Sequence, residues 1–462
     1  MDWFKRLATD FAVKQAVGYL DRDPESNIPR LLDWSERYAK LDAHKQYVRQ
    51  IREIWEEPDN NWRQLIMRTF TELAPQVRKK FFVNFFVYAG MYGIPKGYAM
   101  QEKYNINIPW AILMDPTAAC NLKCIGCWAG QYDQRDSMDL ATLDRIIEEG
   151  KKLGIYTYLY SGGEPLIRKG DLITLARKHS ECIFLSFTNG TLVDEQFAKD
   201  LSEVGNLFLA ISVEGNEEEN DLRRGKGNYQ KVMEAMDILR KHGVGFGFSA
   251  CYHRKNTEAI GSDEFVDHMI DKGCMFGWYF TYMPLGKDAQ LDLLVTPEQR
   301  AWMYRRMREL RAEKPIFLMD FWNDGEFVAG CIAGGRRYIH INARGDVEPC
   351  AFIHYANLNI KDCTLLEALQ SPLFQQYRER HPFNKNHLRP CPLLDNPNAL
   401  LEMVKKSQAF STQPGDEEPV EVLTSKCLDA AAKWAVVADE IWENRKGKGI
   451  EEGSPALHKV AQ

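Results

Sequence analysis

No run in this sequence reaches the roughly 18 consecutive apolar residues that a membrane-crossing helix needs; the nearest, from Phe81 to Ile94, is interrupted by Asn84 and closed by Pro95. That excludes a spanning helix. A basic excess is missing too, with 59 Lys and Arg against 65 Asp and Glu and a formal charge of -6, so no nucleic-acid partner is expected. Met1 opens no leader of charged, apolar and small residues, and no internal repeat with a fixed period occurs. Eleven cysteines without a leader point to a reducing cytoplasm in which thiols bind metal or pack, rather than to a disulfide framework. What is present is enough to bury a site. At 462 residues, 45% hydrophobic and 27% charged, the chain predicts one large domain with one or two smaller ones.

Residues 1–105 read as a helical N-terminal region with Pro24, Pro29, Pro58 and Pro75 at its boundaries and no evident chemistry. Trp3, Phe4, Leu7 and Phe11 fall at helical spacing, and the aromatic run at Phe81 follows Arg78, Lys79 and Lys80. Such segments either pack on the main domain or lie on a membrane surface, which leaves a peripheral contact with the cytoplasmic face of the inner membrane open.

From residue 106 to 316 the pattern turns to short apolar runs alternating with amphipathic helices, the signature of βα units around a parallel sheet. The runs are Trp110 to Met114, Ile155 to Tyr160, Ile183 to Phe187, Leu207 to Val213, Gly245 to Ala250 and Trp278 to Tyr282, with helices such as Leu140 to Lys152 and Tyr229 to His242 between them. Six strands predict an α/β fold, a partial (β/α)6 TIM-like barrel, with chemistry at the C-terminal strand ends. Residues 317–397 form a smaller unit with four cysteines and a hairpin-like core at Tyr338 to Ala351. Residues 398–462 read as a helical extension containing a mobile linker from Ser411 to Pro419 and a loose last dozen residues.

Directly after the first strand, DPTAACNLKCIGCWAG places Cys120, Cys124 and Cys127 in a C-x3-C-x2-C spacing. Three thiolates on one tight loop can hold three corners of a four-iron cluster and leave one iron open. A structural zinc site would want a fourth Cys or His nearby, and the loop has none. The spacing, its place after strand one and the later SGGEP segment together resemble the radical S-adenosylmethionine (SAM) superfamily over about residues 108–285.

That resemblance implies a [4Fe-4S] cluster whose open iron chelates the amino and carboxylate groups of SAM, and reductive cleavage to a 5'-deoxyadenosyl radical. Carried over position by position, Ser161, Gly162, Gly163, Glu164 and Pro165 stand where the family's GGE segment meets the methionine ammonium. Thr188 and Asn189 end strand three; Ser212 and Glu214 end strand four, at ribose-facing positions. Arg224 falls where relatives place an arginine for the methionine carboxylate, with Arg223 as the competing assignment. Relatives usually carry an aromatic residue before the third cysteine; here it is Gly126, as in some relatives acting on hopanoid lipids, with Trp128 as a substitute near the adenine. No further catalytic side chain can be named.

Downstream, Cys331 and Cys350 flank Gly345 in a C-x13-G-x4-C element, which is similar to the opening of the SPASM or Twitch domains, and Cys391 stands as the third ligand. The full seven-cysteine SPASM pattern is absent, so one auxiliary [4Fe-4S] cluster is expected. Its fourth ligand is open: Cys363 is the available thiol, with His387 or Asp395 as alternatives. Cys182, Cys251 and Cys274 lie in or beside strands and read as core residues, and Cys427 has no partner in sequence.

The implied enzyme is oxygen-sensitive, takes an electron from a donor such as flavodoxin or ferredoxin, and abstracts hydrogen from an unactivated C–H bond. Oxidation, epimerisation and carbon–carbon joining are all open outcomes. The helical N-terminal region, the aromatic run and Gly126 lean toward a hydrophobic, lipid-like substrate. A peptide maturase and a non-catalytic iron–sulfur scaffold are the rival readings.

Overall fold

The computed structural model describes residues 3–38, 42–286, 288–413 and 418–446. Six helices precede the first strand: α1 Trp3–Leu20, α2 Pro24–Tyr38, α3 Asp42–Glu56, α4 Asn61–Glu72, α5 Pro75–Phe82 and, after an eleven-residue π-helix Val83–Gly93, α6 Ile94–Tyr104. The strands follow as β1 Ala111–Thr117, β2 Thr157–Gly162, β3 Ile183–Thr188, β4 Leu207–Ser212, β5 Phe246–Tyr252, β6 Phe276–Thr281, β7 Phe317–Asp320, β8 Tyr338–Ile341 and β9 Val347–Glu348. They form one sheet in the order β7-β6-β5-β4-β3-β2-β1-β8-β9. Every neighbouring pair from β7 to β8 is parallel, and β9 returns antiparallel on β8.

Each crossover helix is bounded by local chemistry. The helix Leu140–Leu153, for example, starts where the Asp139 side chain accepts from the Thr142 amide and stops at Gly154, whose φ of 96° closes the last turn. Alternation along the strands then divides the side chains. Ile112, Met114, Tyr158, Tyr160 and Phe184 face the helices, whereas Ala111, Leu113, Leu159, Leu185 and Phe187 face the lumen.

The six expected barrel strands are present, and three further strands of the sheet come from beyond residue 316. β7 and β8 extend the two edges of the sheet, so the second unit is built onto the barrel rather than beside it. Pairing satisfies the backbone groups that an open edge would leave exposed.

The N-terminal helices pack against the base of the barrel. Arg68 donates to the carbonyls of Ile270, Cys274 and Pro315, and Asn84 to those of Ser180 and Cys182. The basic triplet does not survive whole as a surface feature, although Lys79 stays exposed. Arg78 is buried and donates to the Asp21 carboxylate at 2.7 Å and to the carbonyls of Thr69, Phe70 and Leu73, because three helix-end acceptors converge on it; Lys80 reaches the Ser180 carbonyl. Of the stripe at Trp3, Phe4, Leu7 and Phe11, only the Phe11 side chain lies within the described residues, and it is exposed.

The C-terminal extension belongs to the second unit through the helix Val420–Lys446. Its Trp434 donates to the Leu388 carbonyl, and the Trp434 ring lies 4.4 Å from the guanidinium of Arg300, itself paired with buried Asp395. Residues 414–417 of the expected linker and the last dozen residues lie outside the described residues. No described helix is long and apolar enough to cross a membrane.

Candidate active site

The three-cysteine loop leaves β1 at the C-terminal mouth of the barrel and is fastened on both sides. On one side the Gly163 amide donates to the Thr117 carbonyl and the Glu164 amide to the Ala119 carbonyl. Only glycine fits at position 163, since an added Cβ would lie 2.2 Å from the Ala119 oxygen and 2.3 Å from that of Ala118. On the other side the Ile125 amide donates to the Arg223 carbonyl, and Arg223 Nε donates back to the Ile125 carbonyl.

Cys120, Cys124 and Cys127 are free thiols lining one large cavity, together with Ser161, Gly162, Gly163, Glu164, Thr188, Asn189, Ser212, Arg223 and Arg224. Burial pushes the Cys120 thiol up to about 11 and raises Cys127 as well, so metal loading would release protons. Among the described residues, no three His, Cys, Asp or Glu side chains gather tightly enough for a single ion. Three thiols on one loop suit a multi-iron cluster with one open iron.

The expected SAM-facing residues divide into two groups. Glu164 is buried and accepts from Thr188 Oγ1 and from the amides of Asn189 and Leu166; burial raises its pKa against those bonds. Pro165 opens the short turn Pro165–Arg168 and does not line the cavity. Glu214 does not line it either. It is fully buried, 2.6 Å from Arg223 and bonded to Arg224 Nε at 2.8 Å, and it accepts from the Cys251 amide. Burial pushes Glu214 up, but the two guanidiniums outweigh it and hold the carboxyl below its ordinary value.

Glu214 thus neutralises one of the two arginines, and one positive charge is left facing the cluster loop, with Arg224 Nη1 4.0 Å from Cys124 Sγ. Cys182 and Cys274 are core residues as expected, while Cys251 faces the cavity beside Arg223.

Gly126 has a physical reason. Its φ is 64°, and an added Cβ would lie 2.7 Å from the ring of Tyr282, which follows β6 and occupies that space. Trp128 points toward the second unit, against His340, Phe352 and His354.

The His340 behind Trp128 is fully buried, with Nε2 2.9 Å from Asp115 and Nδ1 2.6 Å from Glu348. Burial alone would lower its pKa; the two carboxylates overcome that and hold it at about 10. The folded chain therefore binds this proton more tightly than the unfolded chain does. Its stabilising contribution is complete below the ordinary 6.5 and is lost as pH rises through about 10. The unfolding midpoint is expected to fall between pH 7 and 10 as a result. His340→Leu, which strands two buried carboxylates, should cost about 3 kcal/mol or more and flatten that slope in a thermal melt series.

Cys331, Cys350 and Cys391 surround a second, smaller cavity with Trp322 and Tyr377, and Phe321, Ile332 and Phe352 line both cavities. Tyr338 Oη donates to Cys350 Sγ at 2.6 Å, and the amides of Phe352 and Leu394 donate to Cys350 and Cys391. These are donors suited to cluster thiolates.

The structure does not bring Cys363 to this trio. Its thiol donates to the Asn359 carbonyl beside Arg145, just before the helix Leu365–Leu369. Asp395 accepts from the Cys391 amide but is taken up by Arg300, and the His387 ring lies tilted, 5.6 Å from that of Trp442. Cys427, unassigned in sequence, is buried in the same apolar cluster as Cys350 and Cys391. A helical cysteine 36 residues beyond Cys391 carries no spacing signal, and neither does Tyr282.

The barrel, the loop and the second cysteine set define a class: residues 114–260 match the radical SAM superfamily. Residues 331–392 match the SPASM iron–sulfur cluster-binding domain, so the chain carries a radical SAM domain followed by a SPASM auxiliary domain. The cofactors these domains imply are a SAM-binding [4Fe-4S] cluster, SAM and auxiliary iron–sulfur.

The Fe-coproporphyrin III synthase of Methanosarcina barkeri is 32% identical over 172 residues, 36% of this chain and 43% of that protein. This chain therefore spans less than half of that relative. The PqqA peptide cyclase of Granulibacter bethesdensis is 25% identical over 301 residues, 59% of this chain and 77% of its own. The crystal structure of Streptococcus suis SuiB bound to S-adenosylmethionine superposes with a TM-score of 0.55 at 18% identity, over 66% of this chain and 77% of that one, and supports the fold.

Proposed function

We propose that this enzyme abstracts hydrogen from an unactivated C–H bond of a lipid-like substrate lying in the barrel lumen, with carbon–carbon joining as the outcome. One observation carries the reading. A cavity of about 1530 Å³ reaches from the N-terminal strand ends at Thr157, Ile183 and Phe317 to the cluster loop, which exceeds the roughly 300–1,000 Å³ of ordinary small-molecule sites. Its lower part is walled by Phe81, Phe85, Leu185, Phe208 and Trp278, and its polar side chains collect mainly at the SAM end. Trp62, Phe86, Ile94 and Phe317 line the base and are exposed, an apolar rim suited to a membrane surface.

Cys120, Cys124 and Cys127 would hold the cluster, which supplies the reductive cleavage of SAM when bound. Ser161, Gly162 and Gly163 would let the methionine end approach closely, with Glu164 beside its ammonium. Arg224, with Arg223 stapling the loop, would take the carboxylate, and Thr188, Asn189 and Ser212 would face the ribose. Tyr282 is the aromatic group beside Gly126 available to the adenine. Cys331, Cys350 and Cys391 would hold the auxiliary cluster, with Cys427 as the thiol closest in setting. An external one-electron donor of the flavodoxin or ferredoxin kind completes the chemistry.

The names of some relatives, PqqA peptide cyclase and mycofactocin maturase, favour a second reading, peptide maturation. Against it, the described residues before β1 contain no strand, unlike the winged-helix peptide-recognition modules of such enzymes.

Anaerobic purification without detergent, solvent extraction and mass spectrometry separate the two. A copurifying lipid is expected, and Leu185→Trp should reduce it about tenfold while SAM cleavage without substrate continues. Lipid-free protein that binds a peptide encoded beside its gene would overturn the proposal.

A further inference from the structure

The base of the lumen holds two cations that no carboxylate neutralises. Arg336 and Arg337 both line it where β8 begins, and the Arg337 carbonyl accepts from the amides of Trp110 and Ala111 at the foot of β1. Arg336 Nε donates to the Cys331 carbonyl at 2.8 Å, and its Nη2 reaches the carbonyls of Val328 and Ala329. These are neutral acceptors. The Arg337 guanidinium has no hydrogen-bond or ion-pair partner among the described residues.

Glu326, the carboxylate on this stretch of the wall, is already paired with Arg308 and Arg445. Two like charges held together, half-buried and beside an apolar lumen, are costly unless an anion joins them. Planar guanidinium forks match phosphate oxygens in pairs.

We propose that Arg336 and Arg337 bind the phosphate of a phospholipid whose acyl chain occupies the lumen, fixing the headgroup at the base and the chain toward the cluster loop. The inference rests on the lipid reading and narrows it to an anionic amphiphile. It also sets a distance. The strand that separates headgroup from loop, β1, has seven residues and at about 3.3 Å per residue is roughly 20 Å long, so the reacting carbon would lie far down the chain from the phosphate.

The test is a binding titration on the full-length, cluster-loaded enzyme without detergent. The probes are lysophosphatidic acid, a monoacylglycerol of the same chain length, and glycerol 3-phosphate. Wild type is expected to bind lysophosphatidic acid about tenfold more tightly than the monoacylglycerol and to bind glycerol 3-phosphate far more weakly. Arg337→Gln, which breaks no internal bond, should bring lysophosphatidic acid to the monoacylglycerol level with iron content unchanged, and Arg336→Gln/Arg337→Gln should do the same. Leu185→Trp should weaken both acyl probes equally.

Equal binding of the two acyl probes by wild type would overturn the headgroup site while leaving the lumen reading intact. Binding of glycerol 3-phosphate as tight as that of lysophosphatidic acid would also overturn it, in favour of a free phosphate ester. Failure of both acyl probes to bind would remove the lipid reading itself.

Discussion

Cys124→Ala is expected to abolish release of 5'-deoxyadenosine from SAM under dithionite and to leave roughly half of the wild-type iron, because a four-iron cluster needs all three loop thiolates and the auxiliary set stands apart from them. Cys124 sits at the centre of the loop, 4.0 Å from Arg224, with Cys120 and Cys127 on either side. Cys350→Ala should do the reverse, losing iron from the second site while retaining some SAM cleavage. Cys350 lies in a separate cavity, reached through Phe321, Ile332 and Phe352. Iron and sulfide counts with EPR of the reduced protein read both outcomes. Cleavage that persists in Cys124→Ala, or iron unchanged in Cys350→Ala, would contradict the respective assignment.

The second large effect is expected at Glu214. Glu214→Ala leaves Arg223 and Arg224, both nearly buried, without their shared carboxylate. Breaking a buried pair in this way costs about 3–5 kcal/mol, against a total stability of roughly 5–15 kcal/mol for a domain. Arg223 also staples the cluster loop through the Ile125 carbonyl, so SAM binding should weaken along with the fall in the unfolding midpoint. Glu214→Gln keeps a hydrogen-bond acceptor and should lose less of both. A stability loss below about 1 kcal/mol in Glu214→Ala would mean that solvent reaches the arginines and the ion pair is not the support described above.

Much of the architecture was legible in one dimension. The six barrel strands and the helix at Leu140 lie within one to three residues of their expected bounds, because period-two and period-3.6 patterns are local signals. The cysteine loop and the GGE segment were legible for a related reason: their chemistry needs fixed spacing on a single short stretch. Contacts assembled from distant segments left no such trace. Arg78 reads as one of three surface cations and is in fact a buried staple, since the carbonyls it serves come from a helix end fixed only by packing. Cys363 has the right chemistry and the wrong place, held by Asn359 on the far side of its own turn.

The sequence by itself determined the class of chemistry, because three thiols within eight residues and a glycine pair that only a bare backbone can satisfy are written in adjacent letters. Tertiary structure alone decided what the barrel encloses. The lumen, its aromatic wall and the unpaired arginines at its base arise where β7 and β8 join the two sheet edges and the N-terminal helices pack against the base. The β1–β8 pairing and the contacts of Asn61 and Arg68 link residues more than two hundred positions apart, a separation over which no sequence periodicity reports proximity.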